Sequence, residues 1–406
     1  MMAAIHAARA GASVTIYEKN ERCGRKLRIT GKGRCNLTNH CARDAFFAHV
    51  TGDPRFLYSA WSRFGSAETE RFFEEAGVPL KVERGNRVFP VSDNATDVVD
   101  ALTRLCREAG VLVRHACVEK VVCLDGAFAL TAGGKEYTHG AVILATGGAS
   151  YPLTGSTGDG YRFAAALGHT VVPIEPSLVP LTEIGNICAS MQGLSLKNVG
   201  LSFRDEVTGK TVFEDRGEML FTHFGLSGPL VLSGSAHLRP MAKGRYTAHI
   251  DLKPALDEKT LDARLLSDFE RYRNRDLINA FSDLLPQKMI APFLRQSGVD
   301  PRKKIHAVTR EERAALLGLL KDFPITVGGF RPIEEAIVTH GGVKLSEVSP
   351  RTMASRLVIG LYFAGEVLDL DAYTGGFNLQ IAFSTGVLSG ESAAAYLAEK
   401  NKEESV

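Results

Sequence analysis

The stretch that most limits what this chain can become lies near its end. Leu357 to Ala364 is an apolar run that reads as a buried strand. It stops at Gly365-Glu366, passes Gly375-Gly376 and enters an Ala- and Gly-rich segment, about Leu379 to Ala398, that reads as a helix. Strand, glycine turn and helix are how an α/β sheet presents backbone N–H groups and a helix N-terminus to a polar ligand. An ordinary βα connection with glycine at positive φ has the same pattern, so the rest of the chain must decide.

The beginning of the chain points the same way. Met1 to Ala10 has helical composition, Gly11 suits its C-cap, and Ser13 to Tyr17 follows as a strand ending at Glu18. A helix running into a strand with an acidic end is the second half of a nucleotide-binding βαβ unit, where the carboxylate meets ribose hydroxyls. Cys23 to Asn39 is dense in Gly, Arg, Lys, Asn and Thr. Such a loop cannot pack a core, but it can offer N–H groups and cations to a pyrophosphate.

Further on, residues 54–77 read as helical, with Phe72, Phe73 and Ala76 on one face. Asp93 to Gly110 is a clearer helix, capped by Asn94 or Asp93 and striped by Val98, Leu102 and Leu105. Short strands follow, then a meander turning at Gly133-Gly134, then a buried strand, Ala141 to Gly148, and a helix opened by Thr157-Gly158-Asp159-Gly160. From about His169 the grammar changes to short strands separated by turns. Pro254 to Leu320 is charged and helical, with Leu261, Leu265, Leu266 and Phe269 as one stripe and Thr309 to Glu312 as a capping box. The α/β pattern resumes near Pro350. The expected domains are 1–168 with 350–406, a β-barrel over 169–254 with 325–349, and a helical insert over 255–324.

At 406 residues with 45% hydrophobic content, the chain can bury a sizeable core. A net charge of +2 supplies no nucleic-acid stripe, so no nucleic-acid partner is expected. No apolar run approaches the length of a membrane helix, and no signal peptide is evident. Seven cysteines without a CxxC or a metal-like spacing read as free thiols in a cytoplasmic protein with no metal site.

Several stretches, in order, resemble the HI0933-like flavoproteins, a family of NAD(P)/FAD-dependent oxidoreductases that takes in aminoacetone-oxidase-like and BaiN-type bile-acid reductases. They are Arg25 to Asn39, Ala145 to Gly148, Gly155 to Gly160, Phe221 to Pro229, Val338 to Val343 and the closing stretch. The resemblance implies a Rossmann-like FAD domain of the two-dinucleotide-binding-domain type, interrupted by a β-barrel and a helical insert. It also implies places for FAD. Glu18, with Lys19 beside it, would hold the adenosine ribose. Arg25 and Lys26 would sit near ribose and phosphates, and Val118 would meet adenine through its backbone. Ala145, Thr146, Gly147 and Gly148 would pass the phosphates. Gly365 and Glu366 would meet the pyrophosphate and ribitol. Gly33, Arg34, Cys35 and Asn36 would approach the flavin, and Gly376, Asn378, Leu379 and Gln380 would set a helix N-terminus at its pyrimidine ring.

The sequence departs from the family in its opening strand and GxGxxG loop, which are not among its residues. That strand would be central in the sheet. The preferred reading is a reading frame begun at an internal Met; the other is a short variant with weakened FAD binding. The 406-residue form is expected to purify poorly or without yellow colour. A stable preparation whose visible spectrum shows near-stoichiometric flavin would overturn this.

No second complete GxGxxG is present, and Cys35 with Cys41 lacks the CxxxxC spacing of disulfide reductases. NAD(P)H would therefore dock transiently at the flavin. His223 and Tyr373 are the candidate catalytic groups, with His340 behind them. The leading expectation is an NAD(P)H-linked reductase of an activated C=C or C=O bond in a small organic molecule. The alternatives are a flavin amine oxidase using O₂, and a flavin-binding accessory or tRNA-modification protein.

Overall fold

The change of grammar near residue 169 corresponds to a change of architecture. The structure is a computed structural model that describes residues 1–124 and 126–403. It divides into a discontinuous unit, Met1–Ser177 with Ile333–Val406, and a continuous one, Leu178–Pro332.

The first unit opens with α1 (Met2–Arg9), β1 (Thr15–Glu18), α2 (Arg25–Ile29), β2 (Thr38–Asn39), α3 (Arg43–Phe47), α4 (Tyr58–Arg63) and α5 (Ser66–Glu75). It continues through β3 (Leu80–Glu83), β4 (Arg87–Pro90), α6 (Ala95–Glu108), β5 (Leu112–His115), β6 (Val118–Leu124), β7 (Ala127–Ala132), β8 (Lys135–His139), β9 (Val142–Leu144), α7 (Asp159–Ala166) and β10 (Val171–Ser177). The second unit holds β11 (Leu181–Glu183), α8 (Ile187–Ser190), β12 (Ser195–Asp205), β13 (Lys210–Phe221), β14 (Gly225–Ser227), α9 (Pro229–Ser235) and β15 (Tyr246–Asp251). It ends with α10 (Glu258–Arg271), α11 (Gln287–Ser297), α12 (Arg310–Lys321) and β16 (Phe323–Phe330). The first unit then resumes with β17 (Val338–Val343), β18 (Leu361–Phe363) and α13 (Phe377–Glu403).

In the first unit the parallel pairing comes in two pieces, β1 with β5 and β18 with β9. Smaller antiparallel sheets, β2-β4-β3 and β6-β7-β8, accompany them. Helices join the pieces. On α13, Gly386 and Gly390 face Met2 and Ala3 of α1, and a Cβ at Gly390 would overlap the Ala3 carbonyl. One core cluster gathers Phe128, Phe363, Val367 and Ile381; a second gathers Ile5, Leu37, Phe73, Val98 and Phe383. Local signals explain several boundaries. Asn94 caps α6 by accepting from the Thr96 N–H, and Thr309 with Glu312 forms the capping box of α12.

The second unit is a closed six-stranded barrel in the order β11-β14-β13-β12-β15-β16. Helix α9 packs on it so closely that a Cβ at Gly234 would press into the Phe203 ring. Helices α10–α12 are the insert, and Lys321 ties them to the barrel strand β15 through Asp251 at 2.6 Å. The fold is thus a Rossmann-like α/β unit interrupted by a β-barrel with a helical insert. The strands β10 and β17, expected with the barrel, pair with each other and group with the first unit.

Other expectations need correction. The strand read over Leu357 to Ala364 is confined to β18, and Leu357 and Ile359 are exposed, because the Ser355 hydroxyl accepts the Leu357 and Val358 N–H groups and turns the chain there. Residues 54–77 are not one helix. Gly65 breaks the run, and its N–H takes the Glu68 carboxylate to start α5 afresh. In α10, Leu266 faces outward, while Asp268 is buried against Arg264 at 2.8 Å. Among the described residues, no helix is long and apolar enough to cross a membrane.

Candidate functional site

The end of β1 is fixed by its own acid. Glu18 Oε1 accepts the Asn20 N–H at 2.9 Å and its side-chain amide at 2.7 Å. Asn20 in turn donates to the Thr154 carbonyl, accepts from Arg25, and lends its own carbonyl to His115. Lys19 reaches Asp159 at 2.7 Å and Thr157 at 2.5 Å, in the loop and first turn of α7. Burial would push the Asp159 carboxyl up, but hydrogen bonds from Lys19 and Thr157 hold it below its ordinary range. Glu18, Lys19 and Arg25 thus converge with the 154–159 loop.

A second knot lies at Lys26. Its ammonium donates to Ser150 at 2.7 Å and to Glu366 Oε2 at 2.8 Å. Glu366 Oε1 accepts the Thr339 N–H at 2.8 Å, and the Thr339 hydroxyl accepts the N–H groups of Ala149 and Ser150. Gly148 sits in the angle between them, where a Cβ would come to 2.7 Å from Glu366 Oε1. Gly365 adopts φ +74 and donates its N–H to Thr385 of α13 at 2.9 Å. At the exit of β9, Ala145 and Thr146 are exposed, and Gly147 takes φ +75. Val118 begins β6 opposite Ala132.

The basic loop winds through left-handed backbone at Gly31, Lys32, Gly33 and Cys35. Arg34 lies across the Phe89 ring at 4.1 Å, bonds Asp93 at 2.7 Å and pairs with Glu83. Its charge is therefore engaged by protein acids. Cys35 is fully buried, and burial pushes its thiol up to about 12, which leaves it unreactive at neutral pH. Asn36 is different. Its Oδ1 is buried and has no hydrogen-bond donor among the described residues.

The start of α13 is built as a rigid platform. Gly375 and Gly376 take φ +123 and +99, and a Cβ at Gly376 would overlap the Thr38 backbone. Asn378 grips the Ala372 N–H and carbonyl at 2.9 and 2.6 Å. Gln380, with no exposed surface, accepts from Thr38 and Thr69 and donates to the Phe64 carbonyl and Ser384. These two side chains hold the turn in place, and Leu379 packs against the core. What remains to meet a ligand is the set of first-turn N–H groups, in a turn that itself holds no Asp or Glu.

Beside that turn, the Tyr373 N–H donates to the His49 carbonyl, and the His49 ring stacks on Phe377 at 4.5 Å. The buried Asp371 carboxylate binds Thr51, Ser177 and His340. Sequence reading missed His49, Thr51, Ser177 and Asp371. The only local signal is the Asp371 that heads the glycine turn; the others reach it through a bridge between Val50 and Ala372 and through the pairing of β10 with β17. His223 belongs to the second unit, where its exposed ring stands edge-on to Phe224 at 5.0 Å.

The Rossmann-domain model of HI0933-like proteins matches residues 1–392. This chain belongs to the HI0933-like family. A 3-dehydro-bile acid delta(4,6)-reductase of Clostridium scindens is 33% identical over 404 residues, covering 97% of this chain and 96% of that protein. The ribosomal RNA dihydrouridine synthase of Escherichia coli is 31% identical over 380 residues, 93% of this chain and 91% of the other. That of Haemophilus influenzae is 30% identical over 393 residues, 95% and 93%.

As an HI0933-like protein the chain is an FAD-dependent oxidoreductase. Its residues fit the cofactor. A buried acceptor left without a donor costs about 1–3 kcal/mol, so Asn36 Oδ1 calls for a ligand N–H or O–H, and a flavin pyrimidine ring carries an N–H. The acid-free N-terminus of α13 suits a ring that gains negative charge on reduction.

Proposed function

We propose that this protein reduces a C=C bond conjugated to a carbonyl, with FAD as the cofactor and NAD(P)H as the electron source. The observation that carries the reading is chemical. The names of the relatives from C. scindens and E. coli describe different molecules but one bond change. A 3-oxo compound unsaturated at carbons 4 and 6 and the C5=C6 bond of uracil are both alkenes activated by a carbonyl. FAD supplies the hydride; the chain must bind the cofactor, orient the alkene and deliver a proton.

In this reading Glu18, Lys19, Arg25 and Lys26 serve the adenosine and pyrophosphate, with Val118 at adenine and Ala145 to Gly148 along the phosphates. Gly365 and Glu366 serve the pyrophosphate and ribitol. Gly33 to Asn36 and the first turn of α13, from Gly376 to Gln380, serve the flavin. Arg34 and Gln380 would act by holding their loops, since their side chains are occupied by Glu83 and Asp93 and by the Thr38 cluster. Sequence alone puts Tyr373 and His223 forward as proton donors. The substrate is a small molecule in the leading reading. The dihydrouridine synthases favour a second, in which the alkene is a uracil within RNA.

An anaerobic titration tests this. NADPH or NADH should bleach the flavin absorbance, and a conjugated enone should restore it. Reoxidation by uridine-containing ribosomal RNA but not by an enone would select the second reading. Peroxide release with amines, without bleaching by either nicotinamide, would overturn both.

A further inference from the structure

We propose that His340, held by the buried carboxylate of Asp371, is the acid that protonates the substrate carbon after hydride addition. This rests on the reading of the protein as a reductase of conjugated alkenes.

Asp371 is 1% exposed. Its Oδ1 receives the Thr51 hydroxyl at 2.7 Å and faces His340 Nδ1 at 3.0 Å; its Oδ2 receives the Ser177 hydroxyl at 2.5 Å. An unpaired carboxylate at that depth would be strongly disfavoured. Burial alone would push this carboxyl up, yet His340, Ser177 and Thr51 together hold it below the ordinary range. It therefore stays ionised and keeps a proton on the ring nitrogen facing it. The exchangeable position is then Nε2. The His340 side chain keeps 27% of its surface exposed, while its Nδ1 faces a buried carboxylate.

The placement fits the task. The preceding residue, Thr339, bonds Glu366, and Asp371 heads the turn whose next residue, Ala372, is gripped by Asn378 of α13. The pair thus stands between the stretch assigned to the pyrophosphate and ribitol and the turn assigned to the flavin. His49 is also near, but its Nδ1 faces the Ala45 carbonyl at 2.6 Å rather than a carboxylate. In the step, the C=C π bond breaks and the hydride, from flavin reduced by NAD(P)H, bonds the β-carbon. The π electrons move toward the carbonyl. The Nε2–H bond of the doubly protonated ring then breaks, and its proton bonds the α-carbon. His340 is left neutral and recovers a proton from water; Asp371 stays ionised and acts as a positioning residue.

The decisive variant is His340→Asn, because the asparagine amide can still donate to Asp371 while the Nε2 position is lost. Protein reconstituted with FAD and reduced with NADPH is mixed anaerobically with 2-cyclohexenone. Reoxidation should slow about 100-fold in His340→Asn, in the range for loss of a general acid, while bleaching by NADPH persists. Independently of turnover, ¹⁵N-histidine spectra of the flavin-free chain should show a protected Nδ1–H for His340 that shifts in Asp371→Asn. Wild-type reoxidation in His340→Asn, or a His340 ring without that protected proton, overturns the proposal while leaving the reductase reading in place. If the wild-type enzyme itself is not reoxidised by the enone, the small-molecule reading fails and the proposal falls with it.

Discussion

Replacing Gly376 with alanine is expected to cost about 3–5 kcal/mol of stability and to abolish flavin binding. Two effects add. At φ +99 an L-residue is strained, by roughly 1–3 kcal/mol. The new Cβ would also overlap the Thr38 backbone. That backbone cannot step aside, because β2 is paired with β4 and the Thr38 hydroxyl is held by Gln380. Stability of a domain is only about 5–15 kcal/mol in total, so the loss consumes much of it. Gly77→Ala is the control. Gly77 shares a positive φ of +78 but has nothing within 4 Å of its would-be Cβ, so only the torsional part, about 1 kcal/mol, should appear. Denaturant titrations of the two variants, with the visible spectrum recorded on each, check the difference. Equal midpoints would show that the close approach to β2 contributes nothing.

Gln380→Leu is expected to destabilise the first unit by about 2–4 kcal/mol, since a buried polar group stripped of its partner costs about 1–3 kcal/mol. The Thr69 hydroxyl loses its acceptor outright; Thr38 keeps only a 3.2 Å contact with Ser66, and the Phe64 carbonyl retains Ser384. Gln380→Glu discriminates packing from polarity. It preserves shape but turns a donor into a buried anion facing the Phe64 carbonyl. In that variant the native state holds a proton that the unfolded chain releases at a lower pH, so stability should rise as pH falls from 7 toward 4. Urea midpoints measured across that range decide it, and a flat profile would mean that the introduced carboxyl finds water.

Both predictions rest on contacts that sequence shows only in part. The glycine turn and helix of the closing stretch were legible because Gly375-Gly376 and the Ala-rich run are local signals. So were the caps of α6 and α12, where one side chain meets a backbone N–H a few residues on. The run from Leu357 was misread because Ser355 redirects a segment whose composition is that of a strand. The Asp371 cluster was not legible. Its members lie at 51, 177, 340 and 371, and no periodicity links residues so far apart. The cationic composition of the loop around Arg34 is plain in the sequence, but the engagement of Arg34 by Glu83 and Asp93 is not, because those acids lie on a strand and a turn far downstream.

The interrupted first unit also sets an order of events during synthesis. Helix α13 carries the Gln380 knot and the glycine face against α1, yet it is the last described element to leave the ribosome. Until it emerges, α1 and the strands after it lack their partner, however long they have existed. The barrel unit is continuous in sequence and has no such wait. Domains complete during translation as units, so the barrel can close while the nucleotide-binding unit is still open, and its closure shortens the loop that α13 must bridge to reach α1. A ribosome stalled before residue 377 would therefore carry a finished barrel beside an unfinished cofactor domain.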